Sequence, residues 1–139
     1  MAKEPKTIQL SDGQDCIINS CGGTQARRLV LQIVDLMKPE QLATQEQKEA
    51  TKNFAKNLIL NGSSDSSFLS KSEKLLDELF GLAYIKVESN FVELTPPVFD
   101  VQFAGRLAQM IELLIEIIEH NGFLDLLGYL KTATKMFQQ

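Results

Sequence analysis

The stretch Val101-Gln102-Phe103-Ala104-Gly105-Arg106-Leu107-Ala108-Gln109-Met110-Ile111-Glu112-Leu113-Leu114-Ile115-Glu116-Ile117-Ile118 decides how this chain is read. Twelve of its eighteen residues are apolar. On a 3.6-residue repeat, Gln109, Glu112, Glu116 and the following Glu119 fall on one narrow stripe. Phe103, Leu107, Met110, Ile111, Leu113, Leu114, Ile117 and Ile118 cover more than half of the circumference opposite. A surface helix needs only about a third of its girth to be apolar. The pattern therefore predicts one long helix over 100–120, covered on two sides by neighbouring helices, a second copy or a partner. Its polar stripe reads as a solvated face, with His120 near the C-terminus, where the helix dipole favours a cation.

The chain of 139 residues is long enough to close a hydrophobic core as one domain. It is 44% apolar and 23% charged, an ordinary globular mixture. A formal net charge of −4, with Arg27-Arg28 the only adjacent basic pair, excludes the basic footprint of a nucleic-acid binder. Arg106, Glu112 and Glu116 interrupt the apolar stretch, and mid-span charges cost roughly 2.5–3.5 kcal/mol each in a bilayer. No spanning helix is expected. Ala2-Lys3-Glu4-Pro5 opens the chain with charge rather than an apolar leader, so a cytoplasmic setting with Cys16 and Cys21 reduced is the expectation.

Outward from that stretch, the N-terminus reads as β. Thr7-Ile8-Gln9-Leu10 and Asp15-Cys16-Ile17-Ile18 flank Ser11-Asp12-Gly13-Gln14, a hairpin signal. Thr24 is placed to cap a helix to about Met37, with Ala26, Leu29, Val30, Ile33 and Met37 on one face and Leu31 off it. Thr44 and Gln47 suggest a capping box for a second helix to about Leu60, stopped by Asn61-Gly62. Ser70 and Glu73 suggest another, opening a helix to Phe80 and the stop at Gly81. Residues 84–94 suit a short hairpin or a continued helix, and Pro96-Pro97 forces extended backbone before the long helix. His120-Asn121-Gly122 marks a C-cap, followed by a last helix with Phe123, Leu126, Leu127, Leu130, Ala133 and Phe137 on one face. The expected fold class is mainly α: a helical bundle with a small N-terminal β hairpin and room for a second short hairpin near 84–94. A single domain over 1–139 is expected. It comprises the hairpin and turn (1–23), a helical pair (24–62), a serine-rich connector (63–69) and a helical half (70–139).

Candidate chemistry is sparse. Glu112, Glu116 and His120 recur at i, i+4 and i+8, but a di-iron site needs Glu-x-x-His on two helices, and His120 is the sole histidine. No metal, cofactor or catalytic residue is expected. Gly22-Gly23 precedes a helix without the Gly-x-x-x-x-Gly-Lys pattern of a phosphate loop.

One resemblance covers nearly the whole chain. An N-terminal hairpin leads into a Gly-x-x-x-Ala-x-x-Leu helix, here Gly22 through Leu29, followed by a polar middle. Then come Phe99-Asp100, Phe103-Ala104-Gly105-Arg106-Leu107 and a long apolar helix ending in His120-Asn121-Gly122-Phe123. In this order of features the chain resembles the tail assembly chaperones of long-tailed bacteriophages and prophages. The resemblance implies a non-enzymatic protein of the host bacterial cytoplasm whose partners are the tape-measure protein and the tail-tube protein. It also allows a homo-oligomer, and a frameshifted longer form in a fraction of the copies. Membrane and nucleic acid are not among the implied partners. The candidate partner-binding residues are Leu31, Phe103, Gly105, Arg106 and Phe123. The alternative is a small acidic adaptor or inhibitor binding a folded host protein through charge, whose affinity would fall steeply with salt where apolar groove binding would not.

Overall fold

The computed structural model describes residues 4–36, 47–60 and 66–125. In chain order the elements are β1 (Lys6–Gln9), β2 (Asp15–Ile18), α1 (Gly23–Leu36), α2 (Gln47–Leu60), α3 (Ser66–Phe80), β3 (Ala83–Val87), β4 (Asn90–Glu93), α4 (Pro96–Gln102) and α5 (Leu107–Asn121). The expected last helix beyond Phe123, the Thr44 cap and the Asn61-Gly62 stop lie outside the described residues.

The architecture is not a simple helical bundle, which corrects the fold class expected from the sequence. The two hairpins join into one four-stranded antiparallel sheet in the order β1-β2-β3-β4, and among the described residues three helices lie between β2 and β3. The joint is the pairing of Cys16 with Ile85, Ile17 with Tyr84 and Ile18 with Ala83. An isolated hairpin is marginal in water, whereas four strands with an apolar face are stable. Cys16, Ile18, Ala83 and Ile85 are that face, all fully buried. Sequence periodicity could locate each hairpin, but two segments some 65 residues apart carry no local signal that they pair.

Each hairpin turn follows its residues. Gly13 N–H donates to the Leu10 carbonyl at 2.9 Å and Gly13 takes φ +91, closing a tight turn that ends in a left-handed glycine. Val87 faces Asn90, leaving the two-residue loop Glu88-Ser89 with Glu88 at φ 60. A non-glycine residue there is strained by about 1–2 kcal/mol. Glu88→Gly is accordingly expected to raise stability by about 0.5–1 kcal/mol, after the entropic cost of glycine, read as a higher urea midpoint at unchanged slope.

The second correction concerns the long helix. Residues 96–121 form two helices with a break at Phe103–Arg106. Pro96 and Pro97 start α4 behind the extended Thr95, because proline's fixed φ suits a first turn. Gly105 then takes φ +74, a conformation open to glycine and costly to other residues. At 1.5 Å per residue an unbroken helix would run about 38 Å and could not pack both ends on one small core. The break sends α4 against α3 and leaves α5 to pack on α2, α3 and β2. Leu113, Leu114, Ile117 and Ile118 of α5 are fully buried at the centre of the core.

Two smaller differences follow from packing. Helix α3 begins at Ser66, so Ser70 and Glu73 lie inside it rather than capping it, and the connector expected at 63–69 is partly helical. Helix α1 lies antiparallel to α3, tied by Lys71 Nζ to Asp35 at 3.1 Å and by Arg28 to Glu78 at 3.6 Å.

Candidate partner-binding surface

The polar stripe of α5 keeps Glu119 open to solvent, while Gln109, Glu112 and Glu116 form a half-exposed seam with the N-terminal hairpin. Lys6 Nζ donates to Glu116 Oε2 at 3.0 Å. Ser11 Oγ donates to Glu112 Oε2 at 2.8 Å and accepts from Gln109 Nε2 at 3.2 Å. At the far end the Asn121 side chain accepts from the Cys21 N–H at 3.1 Å and donates to the carbonyls of Asn19 (3.3 Å) and Ile117 (3.0 Å). The hairpin thus lies along α5, with β1 running antiparallel to it. His120 is buried rather than displayed, at 9% exposure. Gly122 closes α5 in the left-handed conformation, φ 65, as the sequence predicts.

The α4–α5 junction is held by Arg106. Its Nε and Nη2 donate to Asp12 Oδ2 at 2.9 and 2.6 Å, and its Nη1 donates to the Gln102 carbonyl at 2.8 Å, capping the end of α4. The guanidinium also sits 5.3 Å from the centre of the Phe103 ring. Burial pushes the Asp12 carboxyl up, but the Gln14 N–H bond and Arg106 outweigh it and hold the group below its ordinary value. Phe103 itself belongs to an aromatic cluster, its ring 5.2 Å from Phe99 and 6.3 Å from Phe80.

The five candidate residues therefore separate. Phe103 and Phe123 are each only 2% exposed and lie in the core. Gly105 is exposed at the break, and Arg106 is committed to Asp12 and Gln102. Leu31 is 54% exposed on α1, beside Arg27, Arg28 and Asp35, on a surface lined by α1 alone. Of the five, Phe103, Gly105 and Arg106 come together, with Gly105 exposed, Arg106 partly so and Phe103 buried.

What lies open around Gly105 is apolar. Val101 is 73% exposed and Leu107 52%, and Ala104 and Ala108 between and beside them are exposed too. Next to Val101, a groove of about 220 Å3 opens between α3 and α4. Leu76, Phe80, Leu94 and Phe99 line it together with Pro96, and Glu73, Asp77 and Asp100 stand on its rim. The sequence reading missed this groove, taking Glu73 as half of a capping box. The signal present was the spacing 73, 76, 77, 80, which puts two acids and two apolar residues on one helix stripe. Which helix faces that stripe is a tertiary fact.

The described residues contain no group of three or more His, Cys, Asp or Glu placed to hold a metal ion, and no helix long and apolar enough to cross a membrane. Both cysteines are free thiols. Burial pushes Cys16 up to about 11 and raises Cys21 as well. At pH 8 a thiol reagent is expected to modify Cys21 first, with Cys16 reacting only on unfolding. Equal rates at the two positions would contradict the burial of Cys16. Compared with known proteins, the chain matches no family model, no curated protein and no solved structure.

Proposed function

We propose that this chain is a non-enzymatic tail assembly chaperone, binding the tape-measure protein and tail-tube subunits in the cytoplasm of a bacterial host. The observation that carries the reading is the open apolar surface at the α4–α5 junction, where Val101 and Leu107 flank Ala104, Gly105 and Ala108. Small residues there let a partner backbone approach closely, and the two large ones supply apolar area to bury. Phe103-Ala104-Gly105-Arg106-Leu107 is also one of the several segments on which the resemblance to the chaperone family rests. Within it, Phe103 and Arg106 hold the break in shape while the residues between and after them face outward. A client offering amphipathic helices suits such a surface.

The test is co-expression with a tape-measure protein from a tailed phage, scoring solubility and co-purification. The wild-type chain is expected to keep it soluble through moderate salt. The double variant Val101→Glu/Leu107→Glu, whose sites are exposed and whose own melting should be unchanged, is expected to lose it. Precipitation of the tape measure alongside the wild-type chain, as when it is expressed alone, would overturn the reading.

A further inference from the structure

The α3–α4 groove combines an apolar, aromatic floor with an unneutralised acidic rim. Phe80 and Phe99 form the aromatic part of the floor, their ring centres 4.5 Å apart, and Leu76 adds an aliphatic side chain. Glu73, Asp77 and Asp100 are all exposed, and none of the ion pairs among the described residues involves them. Ion pairs between elements do occur elsewhere, as between Lys6 and Glu116 and between Arg106 and Asp12. Here three carboxylates share the lining of one apolar hollow, and no lysine or arginine belongs to that lining.

That chemistry matches one kind of side chain, a long basic one. An arginine or lysine buries an apolar stem and keeps its charge at the end. The stem would lie on Leu76 and the phenylalanine rings, with the cation over an aromatic face and within reach of the carboxylates. A negatively charged ligand would be repelled, and a purely apolar one would leave three carboxylates crowded against it without compensation.

We propose that the groove is the seat for one arginine or lysine of an amphipathic helix in the client, whose apolar residues lie on Val101 and Leu107. The inference rests on the chaperone reading and adds the partner's chemistry: a basic residue flanking an apolar helical stripe. Asp100 on the groove's rim and Val101 on the open surface are consecutive residues of α4, so a single partner helix laid against α4 can reach both. The overall charge of −4 favours approach of the same basic segment.

The probe is a fluorescent amphipathic helical peptide with leucines along one face and one flanking arginine, paired with an otherwise identical peptide carrying citrulline, which keeps the shape and removes the charge. Anisotropy titration of the full chain is expected to show the arginine peptide binding about tenfold more tightly. The triple variant Glu73→Gln/Asp77→Asn/Asp100→Asn, altered only at exposed positions, should abolish that difference while melting like the wild type. A variant that melts lower is replaced by the single change Asp77→Asn, for which a partial loss is expected. Equal affinity for the two peptides, or an undiminished preference in the variants, overturns the groove assignment. The same triple variant in the tape-measure co-expression separates the two readings. Wild type and variant both keeping the tape measure soluble sinks the basic seat and leaves the chaperone standing. Failure of the wild type sinks the chaperone, whereas the peptide titration still reads the groove.

Discussion

Phe103→Ala is expected to lower unfolding free energy by about 3–5 kcal/mol, the range for deleting a buried aromatic ring. The ring is 2% exposed and touches two aromatic neighbours, Phe99 at 5.2 Å and Phe80 at 6.3 Å between centres. The Arg106 guanidinium loses its ring contact as well, although its bonds to Asp12 and the Gln102 carbonyl remain. Domains of this kind are stable by about 5–15 kcal/mol, so the loss is a large fraction of the whole. Urea denaturation measures it directly. Val101→Ala, two residues earlier and 73% exposed, is the control and should stay within about 0.5 kcal/mol of the wild type. A Phe103→Ala protein as stable as that control, but weaker in client binding, would return Phe103 to the partner surface where the sequence reading placed it.

Ile85→Ala is expected to cost about 2–5 kcal/mol. Ile85 is fully buried on β3, flanked by Cys16 of β2 and Val92 of β4. It is the row at which the two hairpins become one sheet. Its removal weakens the packing of the sheet on the helices and the strand pairing together, so unfolding should stay a single transition at a lower midpoint. A peripheral second hairpin would behave differently. Truncating one of its side chains would cost under about 1 kcal/mol, because an exposed two-stranded ribbon contributes little. In a Tyr129→Phe background, which leaves Tyr84 as the sole tyrosine, thermal melts followed by circular dichroism and by tyrosine fluorescence should coincide with and without Ile85→Ala. A separate early transition at Tyr84 would contradict the continuous sheet.

Local features were legible wherever the chemistry is local. Asp12-Gly13 between two β-prone runs yields a hairpin because glycine tolerates positive φ there, and the register follows from the turn. Asn121-Gly122 ends a helix for the same reason. The apolar stripes of the helices follow from a 3.6-residue period and place Leu29, Ile33, Leu113, Leu114, Ile117 and Ile118 inside. Gly105 was visible too, but it was read as a helical glycine, since an isolated glycine in an apolar helical pattern does not say whether it bends away.

By itself, then, the amino-acid order determined where the turns and helix ends fall and which faces must be buried, because backbone preference and side-chain period act over a few residues. Only the tertiary structure decided what each face meets. The stripe of Gln109, Glu112 and Glu116 has the pattern of a solvated face. It became a seam because Lys6 and Ser11, about a hundred residues away, supply partners for those polar groups. The second hairpin became half of a sheet because an apolar strand face cannot stay exposed and β2 offered it an edge. The break at Gly105 divided one apolar run between two packing partners, which left Val101 and Leu107 outside and opened the acidic groove between α3 and α4. Such pairings depend on which elements compete for the same limited core, and no window of sequence contains that competition.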